Sequence, residues 1–275
     1  MKDTGKKAYS KGRDRQLGDG NFRQTQARDP DENTVVGRNA VRELLASARD
    51  VDKVFVLRGE REGSIGALIA QILERKIPLV EIDRRKMDTM SGGENHQGII
   101  AYAAARDYAS IDDILERANE KGERPFILIA DGVEDPHNLG AIIRSAECAG
   151  VHGVIIPKRR AVGLTSVVAK TSAGAIEHML VARVPNLTSA IEELKRSGVW
   201  VYAADMNGTA YEDTDFSSGV ALVLGSEGEG ISRLVAEHCD MTVSIPMYGM
   251  VNSMNVSAAA AVLMTEVARQ RNRKK

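Results

Sequence analysis

Cysteine is almost missing from this chain: its 275 residues hold two, Cys148 and Cys239. Each falls in a stretch of helical, partly apolar character with no second Cys or His at a zinc-ligand spacing. Neither a disulfide framework nor a structural zinc site is expected, and both are read as reduced structural thiols. The five histidines (His96, His137, His152, His178, His238) never form a His-x-x-x-His pair, which leaves metal-free chemistry as the expectation. Long apolar runs are missing as well. No stretch approaches the roughly 20 residues that a bilayer span requires. The opening MKDTGKKAYSKGRDRQ lacks the apolar centre of a signal peptide, so a cytoplasmic protein with no membrane partner is expected. Charge of one sign is also not in excess: 37 Lys and Arg stand against 38 Asp and Glu, a net charge of −1. Global charge therefore gives no argument for a nucleic-acid partner.

What is present is the balance of a water-soluble globular protein, 43% hydrophobic and 27% charged residues, in a length that fits about two domains. Cations crowd the two ends. Lys2, Lys6, Lys7, Lys11, Arg13, Arg15 and Arg23 lie in the first segment, and Arg269, Arg271, Arg273, Lys274 and Lys275 close the chain. They read either as phosphate-contacting tails or as merely solvated charge. Residues 1–33 have almost no aliphatic side chains and cannot bury enough surface to offset the entropy of ordering, so they read as a disordered tail.

From Val35 the pattern changes. GRNAVRELLASA has helical spacing, KVFVL (53–57) reads as a strand, SIGALIAQILERK as a helix, and PLVEI and GIIAYAAA (98–105) as strands. Residues 34–105 thus form a small α/β domain. The polar RDYASIDD breaks the rhythm; 106–109 reads as a linker, and Ser110 with Asp113 as a capping box that opens a second domain over 110–275. There strands at PFILIA, GVIIP, MLVAR, VWVYAA, GVALVLG and MTVSIP alternate with helical segments, which implies a parallel sheet covered on both faces. The closing VSAAAAVLMTEVARQ reads as a helix whose alanines allow close packing.

In an open parallel sheet, ligands bind beyond the carboxyl ends of the strands, so the loops after strands carry the chemistry. Three stand out: DGVEDPHNLGAIIRSAECAG after PFILIA, GSEGEGIS after GVALVL, and MYGMVNSMNVS after VSIP. Gly225, Gly228 and Gly230 do not keep the spacing of a dinucleotide-binding loop, and Glu227 stands where pyrophosphate needs neutral donors; nor does the loop fit a nucleoside-triphosphate cradle.

Together the three loops resemble the SpoU (TrmH-like) family of the SPOUT class of RNA methyltransferases. The matching residues are Asn138-Leu139-Gly140 with Arg144, then Gly225-x-Glu227-Gly228-x-Gly230, then Ile245-Pro246-Met247-x-Gly249 with Ser253-Met254-Asn255-Val256-Ser257. Gly37-Arg38-Asn39-Ala40-Val41 and His96-Gln97-Gly98 resemble the substrate-binding domain of the family's ribosomal-RNA members. The resemblance implies an α/β catalytic domain with a deep trefoil knot, a homodimer, and S-adenosylmethionine held in the knot. It implies transfer of a methyl group to a ribose 2'-hydroxyl, with a guanosine in the peptidyl-transferase region of 23S rRNA (the P loop of domain V) as favoured target. Alternatives are a transfer-RNA guanosine, an rRNA adenosine whose methylation confers antibiotic resistance, and a non-catalytic RNA-binding module.

The same resemblance places Asn138, Arg144, Glu227, Ser253 and Asn255 in the catalytic centre and Gly225, Ile245, Met247 and Met254 at the cofactor. Arg144 is expected to orient the nucleotide through a bidentate phosphate grip, because a guanidinium is always protonated and makes a poor base. Each residue also has a plainer reading. Arg144 could pair with Glu147 three residues on, Asn138 and the Ser253/Asn255 pair could be helix caps, Glu227 could favour the start of the next helix, and Met247 and Met254 could fill the core.

Overall fold

The structure is a computed structural model that describes residues 33–47, 49–60 and 63–272. The tail read over 1–33, Asn33 apart, and the terminal Arg273, Lys274 and Lys275 lie outside the described residues. The first sheet contains β1 (Thr34–Val36), β2 (Val51–Leu57), β3 (Leu79–Ile82) and β4 (Ile99–Ala103) in the order β1-β4-β2-β3. β2 and β3 run parallel, and β4 is antiparallel to β1 and β2. Helices α1 (Arg38–Ala46) and α2 (Ser64–Glu74) present Val41, Leu44, Leu45, Ile65, Leu68 and Ile72 to one face of this sheet, against Val54, Val56, Ile99 and Ala101. These positions recur at helical spacing, so one stripe of each helix is buried. α3 (Arg84–Met90) covers the other face with Met87 against Phe55, Ile82 and Ile100. The two small-domain motifs meet each other: the Arg38 backbone N–H donates to Gln97 Oε1 (3.1 Å) and its Nε to the Gln97 carbonyl (2.8 Å).

Ser110 and Asp113 form the expected capping box, Asp113 N to Ser110 Oγ 3.1 Å and Ser110 N to Asp113 Oδ2 2.7 Å, and open α4 (Ile111–Glu120). Then follow β5 (Phe126–Ala130), α5 (Pro136–Cys148), β6 (Gly153–Pro157), α6 (Ser166–Thr171), β7 (Leu180–Val184), α7 (Leu187–Arg196), β8 (Val199–Ala210), β9 (Gly219–Leu224), α8 (Arg233–His238), β10 (Met241–Ser244) and α9 (Val256–Asn272). All six strands are parallel, in the order β10-β8-β9-β5-β6-β7. β5 and β9 are buried along their whole length, as strands covered on both faces must be. α5 and α9 pack Leu139, Ile142, Ile143, Leu263, Met264 and Val267 on one face; α4 and α7 pack Ile111, Ile114, Ile191 and Leu194 on the other. Each such side chain contributes about 1.5–3 kcal/mol by leaving water. No helix among the described residues is long and apolar enough to cross a membrane.

Two readings change. Arg269 and Arg271 are not tail charges: Arg269 holds Glu266 with two bonds, and Arg271 folds over the Phe126 ring and donates to the carbonyls of Arg124, Pro125 and Ser218. Burial lowers the Arg271 pKa to about 10. Cys148 and Cys239 are both free, but Cys148, at the last position of α5, is exposed; Cys239 follows α8, and burial pushes its thiol up to about 11. On either side of residues 106–108, the Ala105 N–H donates to the Leu164 carbonyl (2.7 Å) and the Ala109 N–H to that of Val181 (2.8 Å).

Candidate active site

β5 and β9 are neighbours, yet α5 after β5 lies on one face of the sheet and α8 after β9 on the other, since Val235 of α8 joins the opposite core. The chain therefore parts at their carboxyl ends, and a crevice opens there. Asp131 spans its floor: its N–H reaches the Leu224 carbonyl at the end of β9 (2.8 Å), and its Oδ2 accepts from Ser232 N (2.8 Å).

On the β5 side, Asp135 caps α5 by accepting from His137 N (2.8 Å), with Pro136 at the first helical position. Asn138 is thus not the cap. It sits inside the first turn, 8% exposed, with its side-chain amide free to face the crevice. On the β9 side, Ser226 and Gly230 exchange backbone bonds (3.0 and 3.1 Å) and fold 226–230 into a tight loop. A Cβ on Gly225 would stand 2.0 Å from the Gly230 carbonyl carbon, so no larger residue fits beneath that loop. Glu227 projects from it six residues ahead of α8, too far to serve as that helix's first-turn acid.

The third loop brings Asn255 across from β10. Its Oδ1 caps α9, accepting from Ser257 N (2.9 Å) and Ser257 Oγ (2.6 Å). Its Nδ2 donates to Asn138 Oδ1 (2.9 Å) and Glu227 Oε1 (2.5 Å), and Asn138 Nδ2 donates to the same Glu227 oxygen (3.1 Å). Each of the three side chains thus bonds the other two, and three loops far apart in sequence are locked at one point.

Two cavities adjoin this point and share Ser226, Glu227 and Val256. The larger, about 500 Å³, is walled by Leu224, Gly225, Gly228, Gly230 and Ala259, with Ser253 and Met254 at its third-loop side. The smaller, about 410 Å³, holds Asn138 and Arg160 among the carboxylates Glu134, Asp135, Glu227 and Glu229. Of the expected cofactor residues, Gly225 and Met254 line the larger cavity; Ile245 packs against the core instead, and Met247, 38% exposed, is outside both linings. Arg144 makes no pair with Glu147 among the described residues and stands exposed on α5. Six residues beyond Asn138, it lies about 9 Å along the helix and roughly 240° around it, turned away from the network. Arg160 escaped the sequence reading; its signal was the Lys158-Arg159-Arg160 run directly after a strand.

The SpoU rRNA methylase family model matches residues 125–265, and a model for RNA 2'-O ribose methyltransferase substrate binding matches residues 34–109. YacO of Bacillus subtilis (strain 168), assigned to the TrmH family of tRNA/rRNA methyltransferases, is 47% identical over 239 residues, 86% of this chain and 96% of that protein. A Staphylococcus aureus (strain MSSA476) protein with the same TrmH assignment is 43% identical over 243 residues, 88% of this chain and 98% of its own. The SpoU methyltransferase AviRb from Streptomyces viridochromogenes, solved in complex with AdoMet, shares the fold with a TM-score of 0.55 over 87% of this chain and 90% of that one, at 24% identity. The chain belongs to the SpoU (TrmH) family of RNA methyltransferases.

Proposed function

We propose that this chain, acting in the cytoplasm, moves a methyl group from S-adenosylmethionine to a ribose 2'-hydroxyl of RNA, and that the favoured ribose belongs to a guanosine in the P loop of 23S rRNA. The closed Asn138–Glu227–Asn255 network between two cavities carries this reading. The larger cavity fits the cofactor: bare backbone at Gly225, Gly228 and Gly230 can bond an adenine edge, and Leu224, Met254 and Ala259 flank it with apolar surface. Ile245 and Met247 then support that wall from outside. Bound there, the cofactor supplies a methyl group already activated by its sulfonium.

The chain's own residues do the positioning. Glu227 fixes two amides, so Asn138 and Asn255 stand ready to hold the ribose, with Ser253 at the cavity edge. Arg144 grips a phosphate beside the reacting hydroxyl, a contact strongest when the attacking oxygen is aligned. Because Arg144 is turned away from the network of its own chain, the site is completed in a homodimer, where the partner's arginine enters. The exposed Tyr248, Met250 and Val251 of the third loop support such a contact. The trefoil knot belongs to the same reading.

The match to an rRNA methylase family model supports ribosomal RNA, while the likeness to a TrmH family tRNA/rRNA methyltransferase keeps a transfer-RNA guanosine as second reading. Mapping 2'-O-methylation in rRNA and tRNA from cells with and without the gene decides between them. A guanosine mark lost from 23S rRNA is expected; a mark lost only from tRNA, or from an rRNA adenosine, moves the target, and no lost mark overturns the activity.

A further inference from the structure

The catalytic cavity is a poor place to grip RNA by its phosphates. Four carboxylates, Glu134, Asp135, Glu227 and Glu229, line it against the single guanidinium of Arg160. The attraction that retains a polyanion must come from elsewhere, and Arg160 points to where. It closes the run Lys158-Arg159-Arg160, and Lys158, two residues back and thus at most about 7 Å along the chain, lines a different cavity. That one, about 310 Å³, lies in the seam between the two domains.

The seam cleft is cationic. Arg49, Arg75 and Lys76 face it from the small domain, and Lys158 and Arg183 from the catalytic domain. Arg183 is already neutralised: it pairs with Asp52 at 2.8 Å, both side chains under a tenth exposed. The guanidinium of Arg75 bonds the Leu45 carbonyl, and that of Arg49 the Ala104 carbonyl and Asn33 Oδ1, which are uncharged partners. The side chains of Lys76 and Lys158 have no hydrogen-bond or ion-pair partner among the described residues. Four uncompensated cations therefore face one lining carboxylate, Asp50. Like charges gathered this way repel unless an anion sits among them, and a row of phosphates is the anion that also extends toward Arg160.

Resting on the methyltransferase reading above, we propose that the domain seam is a phosphate clamp for RNA: Arg49 and Lys76 on one wall and Lys158 on the other hold the sugar-phosphate backbone next to the modified nucleotide, and Arg160 leads the strand into the catalytic cavity. The buried Asp52–Arg183 pair, with Tyr108 bonded to the same carboxylate, sets the width of the clamp by fixing one wall to the other. Both domains are then needed for one grip.

The test is binding of a fluorescein-labelled oligouridylate, which offers backbone without a target sequence, by wild type and by the triple variant Arg49→Gln/Lys76→Gln/Lys158→Gln, across a salt series. Losing three phosphate contacts from a single strand should lower the log–log salt slope by about 2, with affinity falling at least tenfold at low salt. S-adenosylmethionine affinity and melting temperature, measured on the same samples, should not move. Arg196→Gln, an exposed cation at the end of α7, is the control and should keep the wild-type slope. An unchanged slope in the triple variant overturns the clamp, as does an equal loss in the control, or displacement of the RNA by oligoglutamate at equal charge concentration. A wild type that binds oligouridylate with the expected slope but methylates neither rRNA nor tRNA would instead overturn the activity and leave the clamp standing.

Discussion

Two three-residue polar networks hold this molecule together at long sequence distance, and they are built in opposite ways. At the crevice, Asn138, Glu227 and Asn255 surround one carboxylate with two amides, and the carboxylate is exposed. At the seam, the Asp52 and Arg183 side chains are under a tenth exposed and Tyr108 is partly buried, and Asp52 Oδ2 and Arg183 Nε have no hydrogen-bond partner there. The seam is also tight around its charge: a Cβ on Gly163 would stand 2.3 Å from the Asp52 carboxyl carbon. The first network spends little on desolvation and stays open to a ligand. The second carries the cost of burying ions, which good geometry only partly offsets, and what it gains is a fixed angle between domains. Removing a member should therefore cost stability at the seam and turnover at the crevice.

The largest expected effect is on the seam. Arg183→Met leaves Asp52 buried without its counter-ion, a change that typically costs about 3–5 kcal/mol. A melting-temperature drop on the order of ten degrees should follow, while the double variant Asp52→Leu/Arg183→Met recovers most of it. If the double variant melts no higher than the single one, the pair holds the fold rather than trading charge against burial.

At the crevice, Arg144→Ala should leave melting and S-adenosylmethionine affinity nearly intact and reduce single-turnover methylation on the order of a hundredfold or more. Arg144→Lys should rescue little, because lysine supplies charge without the planar fork. Mixing Arg144→Ala with Asn138→Ala sharpens the dimer reading. If each site draws its arginine from the partner, mixed dimers regain one intact site in two, and about a quarter of wild-type activity returns. No recovery would put both residues in one chain's site. Gly225→Ala ranks next: with no room for a Cβ beneath 226–230, the loop must open, and cofactor affinity should fall at least tenfold by calorimetry with only a small loss in melting temperature.

The difference between the networks also explains what could be read from the sequence. The long strands and helices were legible because alternating and 3.6-residue apolar patterns span them; β1, α3, α6 and α8, at three to seven residues, are too short to show a period. The crevice was legible because its residues fall in three glycine-marked loops at strand ends. The plainer alternative of Asn138 as the cap of α5 fails because Asp135 takes that position, with Pro136 in the first turn. The sequence does not show that Ile245 packs against the core, because its motif position does not reveal which side of the chain faces inward. The seam was invisible: Asp52, Tyr108 and Arg183 stand in three segments with no shared motif, and each alone reads as an ordinary solvent-facing side chain.

The smallest expected effect separates burial from pairing at the seam by pH. Burial raises the Asp52 pKa above its ordinary 3.8, against the opposing pull of Arg183 and Tyr108. A carboxyl raised on folding binds more protons in the folded than in the unfolded chain, so its contribution to stability is full below 3.8 and is lost as pH rises through the folded value. Asp52→Asn removes this titration while keeping an oxygen for Arg183. The stability of wild type relative to Asp52→Asn should therefore grow as pH falls from 7 toward 4, a slow drift seen as a difference between two denaturation series. Other titrating groups, including Asp113, whose capping-box bonds with Ser110 lower its pKa, cancel in that difference. A drift of the opposite sign would mean that attraction to Arg183 outweighs burial, and the seam would then stabilise the fold through its charge pair, as a surface salt bridge does, rather than at the expense of desolvation.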